Sequence, residues 1–214
     1  MWELYDAPFL VIHRYELYSV LYDEACAIGV QILFSRNVTS FETNTPSVIT
    51  SDGKFFSGDL VIGADGEKSV CREAVLGRPV IPTDSGIHVF RLTIPKTRVS
   101  KIPHISYLVD HPCINLVLGP GGPSMIYCVK YGDLLNIVLA KQHDMIENPP
   151  ELPHAVELSM VEQEFEGWTL IQDLLGLADS CIRWTLIDSE PLERWALNKT
   201  VLIGDACHVM TPFV

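Results

Sequence analysis

Two stretches of this sequence place a carboxylate just beyond an apolar run. Leu60-Val61-Ile62-Gly63-Ala64-Asp65-Gly66 and Val201-Leu202-Ile203-Gly204-Asp205-Ala206 share one design: apolar residues, a glycine, then an aspartate among small residues. Runs this continuous, without polar alternation, read as strands buried on both faces of a parallel sheet, each expected to lead into a helix. In open α/β sheets small molecules bind beyond the carboxyl ends of the strands. An aspartate there accepts two hydroxyl hydrogen bonds, which suits a ribose or ribityl chain. The neighbouring glycine and alanine let a ligand approach the backbone. Taken singly, either aspartate reads as readily as a turn former or a helix cap.

The elements that would carry these residues follow from local signals. A helix is expected over 14–28, with Leu17, Val20, Leu21 and Ala25 on one stripe and Gly29 as its stop. Short strands follow over 30–34, 38–41, 48–50 and 54–57; the last two flank Ser51-Asp52-Gly53, a strong hairpin signal. A helix over 69–76 would be capped by Ser69 and stopped by Gly77. From Arg78 onward Pro79, Pro82, Pro95, Pro103 and Pro112 punctuate β-rich pieces over 88–94, 114–118, 125–131 and 134–140, a mostly antiparallel sheet. Helical stretches over 155–165 and 170–177, a strand over 183–187 and the second apolar strand over 200–204 complete the chain. The fold class is therefore α/β, with one layer left and re-entered around a β-rich insert.

Composition narrows the function. The 214 residues carry 15 Lys+Arg against 27 Asp+Glu, a net charge of −12. Nucleic acid and anionic lipid are poor partners for such a surface. No apolar run approaches the roughly 20 residues of a transmembrane helix. The six cysteines are spread singly with no C-x-x-C pair, which argues against a metal site or disulfide scaffold. The first residues lack a signal peptide's basic start and apolar core. A soluble cytoplasmic protein with reduced thiols is expected.

The stretch 59–72, DLVIGADGEKSVCR, resembles the "DG" motif of class A FAD-dependent monooxygenases, with Ser69 and Arg72 on the pattern. The stretch 201–213, VLIGDACHVMTPF, resembles the same family's "GD" motif, and Ile12-His13-Arg14-Tyr15-Glu16-Leu17 its H-R-x-x-L helix start. All three stand in the family's order. YCVKYGDLLN over 127–136 and PLERW over 191–195 are similar to the salicylate hydroxylase-like, aromatic-ring hydroxylase branch. The resemblance implies a partial Rossmann-like FAD-binding domain over 1–78, a β-rich substrate domain over 79–190 and a return into the FAD-binding domain over 191–214. It implies that Asp205 binds the ribityl chain of FAD, with Gly204 and Ala206 close to the flavin. Asp65 is linked to FAD binding and NAD(P)H use, Gly66 to shaping the turn, Arg14 to reaching the cofactor and Pro212 to packing near the isoalloxazine. The implied reaction is NAD(P)H reduction of the flavin, O₂ addition to form a hydroperoxyflavin, and oxygen transfer to an aromatic (phenolic) or related small organic substrate.

No protein nucleophile or metal is required, and no substrate-contacting base can be named. His13, His208 and Arg72 read as capping or structural residues, Cys71 and Cys207 as inert, and Tyr107, Tyr127, Trp168 and Trp184 as core. Arg91 is weighed for the substrate cavity. No G-x-G-x-x-G phosphate loop occurs, so the expectation is a fragment lacking the first βαβ unit and cut short at its end. Rivals are a catalytically inactive remnant, a flavoprotein epoxidase or reductase, and an unrelated α/β module.

Overall fold

The Asp-Gly hairpin forms as its turn chemistry dictates. Gly53 adopts φ +76°, its amide donates to the Thr50 carbonyl at 2.8 Å, and the Thr50 hydroxyl donates to Asp52 at 2.5 Å. The computed structural model describes residues 6, 11–111, 113–119, 122–145 and 153–211. In chain order the elements begin with α1 (Arg14–Ala27), β1 (Val38–Glu42), β2 (Ser47–Thr50), β3 (Phe55–Ser57), β4 (Val61–Gly63) and α2 (Val70–Leu76). Then come β5 (Thr83–Pro95), α3 (Lys96–Val99), α4 (Tyr107–Asp110), β6 (Asn115–Gly119), β7 (Gly122–Val129) and β8 (Leu134–Gln142). The series ends with β9 (His154–Val156), α5 (Leu158–Glu164), α6 (Thr169–Leu175), β10 (Cys181–Asp188), β11 (Ala196–Leu197) and β12 (Thr200–Leu202).

The chain divides into two compact units. One holds Gln31–Ser85 and the residues from Leu186 on; the other holds the residues up to Val30, Gly86–Asp144 and the segment ending at Thr185.

In the first unit, β1-β2-β3 form an antiparallel sheet, and β11-β12-β4 a mixed one. Strands β12 and β4 run parallel, Thr200 opposite Val61 and Leu202 opposite Gly63. Helix α2 starts and stops as its ends require. The Ser69 hydroxyl accepts the Arg72 amide at 2.9 Å, and Gly77 closes the helix in the left-handed region at φ +72°. Cys71 and Val75 pack against Leu202, Ala206 and Cys207, all buried.

Four expectations fail in this unit and its N-terminal neighbour. The 30–34 stretch forms no strand, and Val30, Leu33 and Phe34 are exposed. Strand β4 is three residues long and covered on one face only: Gly63 is buried while Ile62 is 56% exposed. Helix α2 packs on the Gly63 side, and no described element covers the other. The apolar stripe of α1 buries nothing, because no described element packs along it. After Asp205 the chain makes one 3₁₀ turn, Gly204–Ala206, and no helix before residue 211.

In the second unit a six-stranded antiparallel sheet has the order β6-β7-β8-β5-β10-β9. Alternation along β5 sends Phe90, Leu92 and Ile94 to one face, where they join Ile126, Leu135, Ile137 and Leu139. Helices α5 and α6 cover that face with Val161, Phe165, Ile171 and Leu174. Phe165 meets Phe90 edge to face at 6.0 Å and Trp168 at 5.7 Å. The helix expected from residue 155 opens instead as strand β9, since His154–Val156 pair with Cys181–Arg183 at the sheet edge.

His88 of β5 is buried beside this core. Its Nε2 lies 3.3 Å from Glu164 Oε2, and its ring stacks on His143 at 4.9 Å. Burial pushes the His88 pKa below its ordinary value; Glu164 opposes that, while His143 and Arg183 reinforce it. The folded chain therefore prefers the neutral ring. Stability attributable to His88 is intact above about pH 6.5 and is lost as pH falls through that value toward the lower folded pKa. The thermal midpoint should drop between pH 7.5 and pH 5 by less in His88→Gln than in the wild type. Equal drops would refute the assignment.

Candidate cofactor site

The two strand-Gly-Asp segments meet. Because β4 and β12 are parallel and in register, Asp65 and Asp205 leave the same end of one sheet. The Ile203 amide extends the pairing by donating to the Gly63 carbonyl at 3.0 Å. Asp65, Gly66, Gly204, Asp205 and Ala206 are thus gathered in one unit.

Their glycines differ in purpose. A Cβ on Gly63 would stand 2.5 Å from Cys71 Sγ and 2.9 Å from Leu202 Cδ2, so that glycine admits α2 against the sheet. Gly204, at φ +58°, has nothing within 4 Å of its Cβ position. Its open side leaves room for another molecule at the backbone.

The aspartates differ as well. Asp65 Oδ1 accepts the Ser69 hydroxyl at 2.5 Å, and Oδ2 accepts the Cys71 amide at 3.0 Å. Its carboxylate is committed to the start of α2. Asp205 is exposed, and no hydrogen bond to its carboxylate is seen among the described residues. It is the acceptor with its lone pairs to spare.

Arg72 joins the two loops, a role its sequence position did not disclose. Its side chain is 1% exposed; Nη2 donates to the Glu67 carbonyl and Nη1 to the Asp205 carbonyl at 3.5 Å. The thiols here are packing groups. Burial, with the Asp65 charge adding to it, pushes Cys71 up to about 12, and burial raises Cys207 as well. Cys207 Sγ donates to the Gly204 carbonyl at 3.2 Å. His208 donates its amide to the same carbonyl and rests its ring 5.4 Å from that of Trp195. The sequence offered Trp195 within PLERW but not this contact.

Arg14 is exposed at the start of α1, in the second unit, and His13 caps that helix by accepting the Tyr15 amide. Pro212 lies outside the described residues. Trp168 packs against the core of the second unit, as expected. Tyr107 does not: it is 47% exposed. Tyr127 and Trp184 are half-buried and belong to the sheet face opposite the helices, because their neighbours Ile126, Cys128 and Cys181 occupy the core face. The Arg91 guanidinium lies 5.3 Å above the Trp184 ring on that same face.

An exposed carboxylate and an open left-handed glycine at the carboxyl end of a parallel pair fit the polyol portion of a nucleotide cofactor. The pyrophosphate has no matching G-x-G-x-x-G loop in the sequence. These features define an α/β nucleotide-cofactor domain interrupted by a mostly antiparallel sheet with helices. The match to the FAD binding domain family extends over residues 7–214, and the chain belongs to that family.

Its relatives are oxidoreductases. It is 30% identical over 218 residues to 3-amino-4-hydroxybenzoate 2-monooxygenase of Streptomyces cremeus, covering 99% of this chain and 50% of that one. It is 28% identical to the FAD-dependent monooxygenase OpS4 of Beauveria bassiana, covering 98% of this chain and 50% of the relative. The chain thus spans about half the length of the curated relatives it matches. Among solved structures, a salicylate hydroxylase substrate complex superposes with a TM-score of 0.73 at 24% identity, over 94% of this chain and 52% of that one. That likeness supports the fold: part of a Rossmann-like FAD-binding domain interrupted by a β-sheet domain. Among the described residues no helix is long and apolar enough to cross a membrane.

Proposed function

We propose that this chain is the cofactor-gripping and substrate-facing part of an FAD-dependent, NAD(P)H-using monooxygenase that hydroxylates a small aromatic, phenolic or related organic compound. The observation that carries the reading is Asp205: an uncommitted, exposed carboxylate beside the open Gly204, in a chain of the FAD binding domain family. Asp205 would accept hydroxyls of the ribityl chain. Gly204 and Ala206, having little or no side chain, would let the flavin lie against the turn. Asp65 and Gly66 would shape the neighbouring loop, and Pro212 would add a packing contact to the flavin. Residues 1–78 and 191–214 would then hold the cofactor, and residues 79–190 the substrate.

FAD, when bound, supplies electron transfer and oxygen activation. The chain's own part is to orient the ring to be hydroxylated and to exclude water from it. Arg91 over Trp184 offers a guanidinium beside an aromatic face, an arrangement suited to an aromatic acid. The hydroxybenzoate acted on by the Streptomyces relative, by its name, has that character.

The test is a visible spectrum of the purified chain after FAD has been added and the excess removed. A retained band near 450 nm (roughly the absorption of bound oxidised flavin) is expected. A colourless protein would overturn the assignment of cofactor binding to these residues and leave a chain without a working flavin site.

A further inference from the structure

Arg72 is costly where it stands. A guanidinium that is 1% exposed has lost its hydration, and no carboxylate forms an ion pair with it among the described residues. Burying an uncompensated charge is opposed by several kcal/mol, whereas a methionine or leucine would fill a similar volume at no electrostatic penalty. What the guanidinium does that an apolar side chain cannot is donate hydrogen bonds in two directions. Nη2 reaches the Glu67 carbonyl, in the loop after Asp65, and Nη1 reaches the Asp205 carbonyl, 133 residues further along the chain. Its backbone is held too. The Arg72 amide donates to Ser69 Oγ at 2.9 Å, and that hydroxyl donates onward to Asp65.

Packing holds one side of the turn it touches, where Ala206 and Cys207 are buried against Cys71, Val75 and Leu202, but few hydrogen bonds fix its backbone. Gly204–Ala206 is a single 3₁₀ turn, entered through a glycine at φ +58°. Its internal bonds converge on one carbonyl, that of Gly204, which accepts the amides of Cys207 at 3.0 Å and His208 at 3.1 Å. The Asp205 carbonyl points inward to Arg72 while its side chain stays exposed.

We infer that Arg72 is a positioning residue: a buried cross-brace that pins the Asp205 backbone to the Asp65 loop and so sets the Asp205 carboxylate outward before any ligand arrives. The brace stands on the ligand-free geometry. Only its consequence for FAD rests on the proposed function.

Hydrogen exchange on the ligand-free chain tests the brace directly. In Arg72→Met the amides of Cys207 and His208 should exchange about tenfold faster or more, while amides of β5 and β8 keep their rates. Arg72→Lys keeps the charge but has one ammonium in place of a fork, so it should fall between the two. If Met destabilises the whole unit, the Lys variant decides. Wild-type exchange at Cys207 and His208 in Arg72→Lys would then overturn the inference, as would unchanged exchange in a folded Arg72→Met.

Affinity for FAD, read by flavin fluorescence, separates positioning from general support. Arg72→Lys should weaken binding about tenfold in the wild-type background and less than about twofold beside Asp205→Ala, because the group it positions is gone. Equal losses in both backgrounds would overturn the inference. A wild-type chain that binds no FAD sinks the proposed function and leaves the brace to be judged by exchange alone.

Discussion

Replacing Gly63 by alanine is expected to destabilise the unit that carries Asp65 and Asp205 by about 3 kcal/mol, a large share of a typical domain's stability. The added Cβ would stand 2.5 Å from Cys71 Sγ, 2.7 Å from Cys71 Cβ and 2.9 Å from Leu202 Cδ2. These atoms cannot swing away. Cys71 is fully buried in the first turn of α2, and Leu202 is 1% exposed in the neighbouring strand. Relief requires α2 to lift off the sheet, which strips the packing of Cys71 and Val75 from Leu202. The same substitution at Gly204 meets nothing within 4 Å and costs only the left-handed backbone, roughly 1 kcal/mol. Thermal or urea unfolding of the two variants is the check. The Gly63 variant should show by far the larger fall in midpoint; comparable midpoints for the two would show that close packing of helix on strand is not what Gly63 provides. Removing the thiol by Cys71→Ala should restore only part of the loss, since the Cys71 Cβ remains in the way.

The contrast between those glycines marks how far the sequence could be read. Both follow an apolar strand and both precede an aspartate, so both read as places for a ligand to approach. Local chemistry was legible: Ser69 and Gly77 bracket α2, and Asp-Gly turns the chain between β2 and β3, because each signal acts within a few residues. The parallel pairing of β4 with β12 was legible too, since two like apolar runs have few other ways to be satisfied. Burial was not. Apolar residues announce that they prefer cover, but not which element supplies it, so Ile62 and the stripe of α1 read as buried and are exposed. Partners distant in sequence were also hidden. The three residues of β9 become a strand only because Cys181–Arg183 lie alongside, and Arg72 acquires its meaning from a carbonyl 133 residues away. In the candidate site, residue types showed where carboxylates stand; hydrogen bonds showed which one is already engaged.

That difference gives the two aspartates opposite signatures when removed. Asp205→Ala should weaken FAD binding about 100-fold, because ribityl hydroxyls buried against the turn lose an ionised acceptor worth roughly 1.5–3 kcal/mol per hydrogen bond. Asp205→Asn keeps one carbonyl acceptor and should lose about tenfold. Neither should move the unfolding midpoint much, since the Asp205 side chain is exposed and no hydrogen bond to its carboxylate is seen among the described residues. Asp65→Ala should do the reverse. It deprives the Ser69 hydroxyl and the Cys71 amide of their acceptor at the start of α2, so stability falls by about 1–2 kcal/mol and affinity follows only as far as the loop is loosened. Titrating FAD against all three variants, with a melting curve for each, separates a ligand's acceptor from a helix's. If Asp205→Ala bound FAD as tightly as the wild type, the exposed carboxylate would be a bystander, and the reading of this turn as the grip on the ribityl chain would fall with it.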